Sequence, residues 1–78
     1  MTYQDVKNIA CELGWAVSVE EGRLHFCFRG EKDYSFAILA SSTVELISKV
    51  RLLAYNYAED RPFKEKLDEL VGLLVKEM

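Results

Sequence analysis

Hydrophobic positions follow a helical spacing near both ends of this 78-residue chain and alternate with polar positions in between. In residues 2–13 they recur three or four apart, which predicts a helix; they are Tyr3, Val6, Ile9, Ala10 and Leu13. Thr2 suits the N-cap, and Asp5 occupies the capping-box position three residues later. Gly14 supplies the left-handed residue with which many helices end.

The central segment, from Trp15 to Leu39, has the two-residue period of β-strands and is interrupted by two short loops. The loops Glu21-Gly22 and Gly30-Glu31-Lys32 divide it into three strands, which predicts an antiparallel meander. Glutamate is an unfavourable first residue for a type I′ turn, so a bulge at Gly22 is an alternative for the first loop.

The two loop lengths also predict which residues lie opposite one another. The first loop pairs Val17 with Phe26, and the second pairs Phe26 with Phe36 and Arg29 with Asp33. One face of the sheet then collects the large apolar side chains. The other face carries small or polar residues and one leucine: Ala16, Ser18, His25, Cys27, Ser35, Ala37 and Leu39.

Two more helices follow the sheet. Ser42 and Glu45 fit a capping box for a helix that runs to about Glu59. Asp60-Arg61-Pro62 marks a break, because proline belongs in the first turn of a helix, and the last helix runs from Pro62 to near the C-terminus. The core-facing residues are Leu46, Ile47, Val50, Leu53, Ala54 and Tyr57 on the second helix, and Phe63, Leu67, Leu70, Val71, Leu74 and Met78 on the third.

These elements predict one α+β domain over residues 1–78, in the order α-β-β-β-α-α, with the helices packed mainly on one face of a three-stranded antiparallel meander. Such a sheet is about 10 Å wide between its outer strand axes and a helix is about 10–12 Å across, so we expect one face to seat only the first two helices. The third helix then has three alternatives: packing on the edge of the second, covering the opposite sheet face, or pairing with another chain.

The charge of the chain bears on which partners it binds, and its cysteines bear on the cellular compartment. Ten Lys and Arg against thirteen Asp and Glu give a net charge of −3, which disfavours nucleic acid as a partner. Cys11 and Cys27 lack CxxC spacing and no signal peptide opens the chain, so we expect reduced thiols in a cytoplasmic protein. The longest strictly apolar run, Phe36 to Ala40, is far too short for a membrane span.

Chemically versatile residues are present, but not in a catalytic or metal-binding pattern. His25 and Cys27 share a strand face, yet a nucleophilic pair also needs an orienting group and an oxyanion site, and zinc needs four ligands. Paired carboxylates such as Glu20-Glu21 fall in predicted turns, where solvation explains them. The sequence therefore predicts no enzymatic activity, no cofactor and no metal site.

The order α-β-β-β-α resembles that of double-stranded-RNA-binding domains, in topology alone. Those domains use a basic cluster at the start of the second helix and a long first hairpin loop. Here the second helix opens with Ser42-Thr43-Val44-Glu45, and the first loop is Glu21-Gly22. Two alternative functions remain: an acidic chaperone-like dimer, and binding of a nucleic acid or small anion through Arg23, Lys49 and Arg51.

The strongest functional signal is a set of apolar side chains outside the core stripes of the second and third helices. They form the predicted interaction patch: Leu52, Tyr55, Leu73 and Val75. A second choice is the open sheet face, with His25, Cys27 and Leu39. We therefore predict a small non-catalytic interaction or regulatory module that pairs with itself as a homodimer or binds another protein.

Overall fold

The elements of the computed structural model follow the predicted order. They are helix α1 (Tyr3–Glu12), strands β1 (Trp15–Glu20), β2 (Arg23–Arg29) and β3 (Asp33–Ile38), and helices α2 (Thr43–Asn56) and α3 (Arg61–Lys76). The structure describes residues 2–30 and 32–77; Glu31 of the second loop and Met78 of the last apolar stripe lie outside the described residues. None of the helices in these ranges is both long and apolar enough to cross a membrane.

The sheet has the strand order β1-β2-β3 and the predicted antiparallel register. Val17 lies opposite Phe26, which in turn lies opposite Phe36. The first loop is a two-residue turn with φ of 54° at Glu21 and 77° at Gly22. Positive φ at both positions is the requirement of a type I′ turn, so this turn forms despite its glutamate and the alternative bulge does not.

Side-chain caps hold the starts of the first two helices. The Asp5 amide donates to the Thr2 hydroxyl and the Thr2 amide donates to the Asp5 carboxylate, which completes the predicted capping box. At α2 the Glu45 amide donates to the Ser42 hydroxyl, but the Glu45 carboxylate accepts from Ser41 instead of Ser42. The second predicted capping box is therefore half formed.

Helix α2 ends earlier than predicted, at Asn56 instead of near Glu59. Tyr57, predicted on the core face, is the C-cap and is 48% exposed, although its ring meets Phe63 edge-on at a centroid distance of 5.2 Å. The chain reverses between α2 and α3, and the Asp60 amide donates to the Tyr57 carbonyl within that turn. Residues 57–60 are needed to make the reversal, which is why the helical pattern does not continue through them.

All three helices pack on the same face of the sheet, so the expectation that it has room for only two is wrong. Helix α3 packs alongside α2, as the first of the three alternatives predicts, but it also contacts α1, which that alternative did not include. Its first turn reaches one end of the sheet, where Phe63 stacks on Tyr34 and Lys66 lies over the Phe28 ring. The starts of α1 and α2 flank a groove at the other end, beside Val19 and Leu24. The helices fit because α1 and α2 stay apart, with α3 packed against both of them.

Candidate protein-interaction surface

One face of the sheet is left uncovered by the helices. Its side chains are small or polar, and they are exposed or half-buried: Ala16, Ser18, His25, Cys27, Ser35 and Ala37. Leu39, at the end of β3, adds a leucine that is 57% exposed. This open sheet face is the second-choice interaction surface of the sequence analysis, and it is flat because small side chains line it.

The reactive side chains on the open sheet face are those of His25 and Cys27. The Nδ1 atom of His25 lies 3.5 Å from a carboxylate oxygen of Glu20. Cys27 lies between Ala16 and Ser35 in the register, and its thiol is free. No three His, Cys, Asp or Glu side chains in the described ranges are grouped so that they could hold a metal ion.

The four residues of the predicted interaction patch lie on two helices and point in different directions, so they do not form one continuous surface. Leu52 and Tyr55 are neighbours on α2, 60% and 78% exposed. Leu73 is half-buried and Val75 is exposed, and side chains two residues apart on a helix do not face each other. The short link makes α2 and α3 antiparallel, so Leu73 and Val75 lie beside the start of α2, away from Leu52.

Leu52 and Leu39 instead line one shallow groove where α2 overhangs β3. We call this surface the β3-edge groove; its volume is about 270 Å³, and its lining residues are Phe36, Ala37, Ile38, Leu39, Lys49, Leu52, Leu53 and Asn56. It joins one residue of the first-choice patch to one of the second-choice sheet face. Sequence reasoning named both leucines but gave no reason to place them together.

Charges beside the β3-edge groove neutralise one another. The Lys49 amine donates to the Leu39 carbonyl and lies 3.0 Å from the Glu45 carboxylate. Glu45 also accepts a hydrogen bond of 2.7 Å from the Ser41 hydroxyl. The hydrogen bonds from Ser41, followed by that from Lys49, lower the pKa of Glu45 to about 2. The segment after β3 is thus tied to α2 without leaving an unpaired charge at the groove.

The two edges of the sheet differ in how they are protected. At β1 the Tyr3 hydroxyl donates to the Val17 carbonyl over 3.4 Å, so a side chain from α1 covers that edge. Strand β3 pairs with β2 without a bulge, and residues 34–39 contain neither a charged residue nor a proline. These are the devices by which natural proteins block exposed strand edges. They are absent from residues 34–39, although Asp33 places a charge at the first position of β3. That absence is visible in the sequence, but it carries meaning only once β3 is known to be an edge.

A second groove lies between the starts of α1 and α2, with a volume of about 290 Å³. Arg23 lines it beside the Ser41, Ser42 and Thr43 segment. Lys49 lines the other groove and is already paired with Glu45. The three cations of the anion-binding alternative are therefore not gathered at one site.

Comparison with known proteins gives no match: no family model fits this sequence, and no curated protein or solved structure is similar to it.

Proposed function

We propose that this protein is a non-catalytic protein-interaction module that acts as a homodimer. The observation that carries the proposal is the β3-edge groove, where exposed Leu39 and Leu52 lie beside a strand edge whose residues 34–39 contain neither a charge nor a proline. Exposed apolar surface next to free backbone hydrogen-bonding groups is the surface type that binds another polypeptide.

The surface area of the chain is compatible with this proposal. Its accessible surface is 5208 Å², whereas the size scaling of compact monomers gives about 4,900 Å² for a chain of 9.0 kDa. Burying a leucine side chain contributes about 1.5–3 kcal/mol, so the two leucines of the groove supply a useful part of an association energy.

The two cysteines support a reducing compartment as the place of action. Cys11 is exposed on α1, on the helical side, and Cys27 lies on the open sheet face. The sheet separates them, so they cannot form a disulfide with each other without movement of the backbone. Two free thiols in a small chain fit the cytoplasm, where thiols stay reduced.

The test is the mass in solution, measured by light scattering over about a hundredfold range of protein concentration. Leu52→Glu places a charge in the β3-edge groove. Val44→Glu is the matched control, because Val44 is also an α2 residue with 60% exposure but does not line that groove. We expect a dimer for the wild type and for Val44→Glu, and a monomer for Leu52→Glu. A wild-type chain that remains monomeric throughout the range rules the homodimer out.

A further inference from the structure

We infer that the partner is a second copy joined through β3, so that two antiparallel β3 strands meet edge to edge around a two-fold axis at Phe36 and the two sheets become one sheet of six strands. This inference rests on the proposed function, because it specifies how the self-association takes place. It is carried by the edge of β3, by its self-complementary pattern and by the area of the contact.

The choice of β3 over β1 follows from what covers each edge. The carbonyl of Val17 on β1 already accepts a hydrogen bond from Tyr3. On the β3 side, Lys49 donates to the Leu39 carbonyl just beyond the end of the strand, and no side chain in the described ranges hydrogen-bonds to the backbone of β3 itself. A second strand can therefore add to β3 without displacing an existing side-chain contact.

The pattern of β3 suits pairing with its own copy. Side chains alternate between the helical side, with Tyr34, Phe36 and Ile38, and the open sheet face, with Ser35 and Ala37. When two antiparallel β3 strands pair so that one residue lies opposite its own equivalent, the helices of both copies lie on the same side of the combined sheet. A shift of the pairing by one residue would place them on opposite sides. Phe36 is the midpoint of residues 33–39, so centring the axis there gives the longest overlap. Tyr34 then faces Ile38 of the second copy, and Ser35 faces Ala37.

The area of this contact is close to the lower limit for a specific dimer. Residues 33–39 extend over about 24 Å at the rise of an antiparallel strand. The shortest dimension of the molecule is 20 Å, so the contact strip measures about 480 Å² on each copy. Two such surfaces give about 1,000 Å², the lower limit for a biological interface. The symmetry also brings Leu52 of each copy toward the axis, since the same groove borders the paired edge.

Charge does not favour the contact: Asp33 lies at one end of the paired segment in each copy, on the exposed open sheet face, and the net charges repel at long range. Glu45 and Lys49 neutralise each other beside the groove, so pairing buries no isolated charge there. Each copy nevertheless carries a net charge of −3, so two copies repel through their overall fields. Salt screens that repulsion, and we expect the dimer to tighten as ionic strength rises.

The first experiment places a lysine on each edge strand in turn. Ser35→Lys and Ser18→Lys are the same substitution at exposed positions of the same open sheet face, on β3 and β1 respectively. The two lysines of Ser35→Lys lie near each other across the two-fold axis and repel, so Ser35→Lys should weaken the dimer about tenfold, whereas Ser18→Lys should leave it within about threefold of the wild type. Circular dichroism of both variants establishes that they remain folded.

The second experiment determines the register by disulfide formation. Both cysteines are first replaced by serine, because Cys27 lies opposite Ser35 in the sheet and would compete. Chains carrying Ser35→Cys are then mixed with chains carrying Ala37→Cys under oxidation. An axis at Phe36 predicts a covalent dimer in the mixture only, since two copies of one variant hold their cysteine Cα atoms about 8 Å apart, beyond disulfide range. Covalent dimers of either variant alone place the axis elsewhere and overturn the proposed register.

The outcomes separate this inference from the proposed function. A wild-type dimer that Leu52→Glu disrupts, but that Ser35→Lys leaves intact, keeps the interaction module and rejects the strand pairing. Dissociation by Ser18→Lys and Ser35→Lys alike indicates contact between open sheet faces, which also rejects it. A monomeric wild type rejects both the homodimer and the strand pairing. This outcome is also the one expected if an extended segment of a different protein occupies the edge.

Discussion

The rings of Tyr34 and Phe63 stack almost parallel, with centroids 4.6 Å apart and an angle of 7° between their planes. The contact joins β3 to the first turn of α3, immediately after Pro62. Burial of the Tyr34 phenol, followed by the nearby charge of Asp60, raises the pKa of that phenol above its ordinary value of 10.0. The stack helps to attach the last helix to the sheet through two residues that are 29 positions apart in the chain.

Replacing Phe63 by alanine should therefore strongly destabilise the fold. Removing a buried phenylalanine costs about 3–5 kcal/mol, a large share of the roughly 5–15 kcal/mol that small domains have. Tyr55→Ala is the control, because Tyr55 is 78% exposed and should change stability by no more than about 0.5 kcal/mol. Urea unfolding at one fixed protein concentration, followed by circular dichroism, measures both. Equal midpoints for the two variants would contradict the role of the stack.

Gly14 is held in place by two independent constraints, and alanine there should be destabilising. Its φ is 92°, and a Cβ atom would lie 2.9 Å from Cε2 of Phe28. We expect a loss of about 1–3 kcal/mol. Gly72 provides a control with the opposite sign: it lies inside α3 with open space around it, so Gly72→Ala should stabilise the helix by up to about 1 kcal/mol. Unfolding free energies that shift in the same direction for both would refute the argument.

The register of the sheet was predictable because strand patterns and loop lengths are local. With Val17, Phe26 and Phe36 required on one face, a slip of one residue would expose all of them, so the correct pairing follows from the sequence. Thr2 with Asp5 predicted the first helix start for the same reason, since the whole capping box lies within four residues.

The position of α3 and the β3-edge groove could not be predicted in this way. An apolar stripe indicates that a helix is buried, but not which element buries it. The arrangement that places three helices on one face, with α3 against both α1 and α2, depends on the whole assembly. Leu39 and Leu52 are 13 residues apart and meet only because α2 overhangs β3. The cover of Val17 by Tyr3 is likewise a contact between separate elements.

Lowering the pH should destabilise the start of α2, because the Glu45 carboxylate becomes protonated. Its folded-state pKa of about 2 lies below the ordinary value of 4.5, so the folded protein favours the ionised carboxylate. The resulting stabilisation is complete above pH 4.5 and is lost as the pH falls toward about 2.

Glu45→Gln should accordingly be less stable than the wild type near neutral pH, and the difference should disappear at the acidic end of that window. Urea midpoints measured across the window test this prediction. Glu65→Gln, at an exposed position of α3, is the control for general effects of removing a carboxylate. A Glu45→Gln difference that stays constant down to the lowest pH would mean that the hydrogen bonds from Ser41 and Lys49 do not depend on the charge.

Tyr3 should limit the size of the assembly. If β3 is used in the dimer, β1 becomes the outer edge at both ends of the six-stranded sheet. Tyr3 covers this outer edge through its contact with the Val17 carbonyl. Tyr3→Ala uncovers it, and a strand edge that can accept further copies allows open-ended growth. We therefore expect species larger than a dimer in light scattering of Tyr3→Ala at high concentration, while Tyr55→Ala stays dimeric. A Tyr3→Ala protein that stays dimeric at every concentration would show that another feature of β1 limits the assembly.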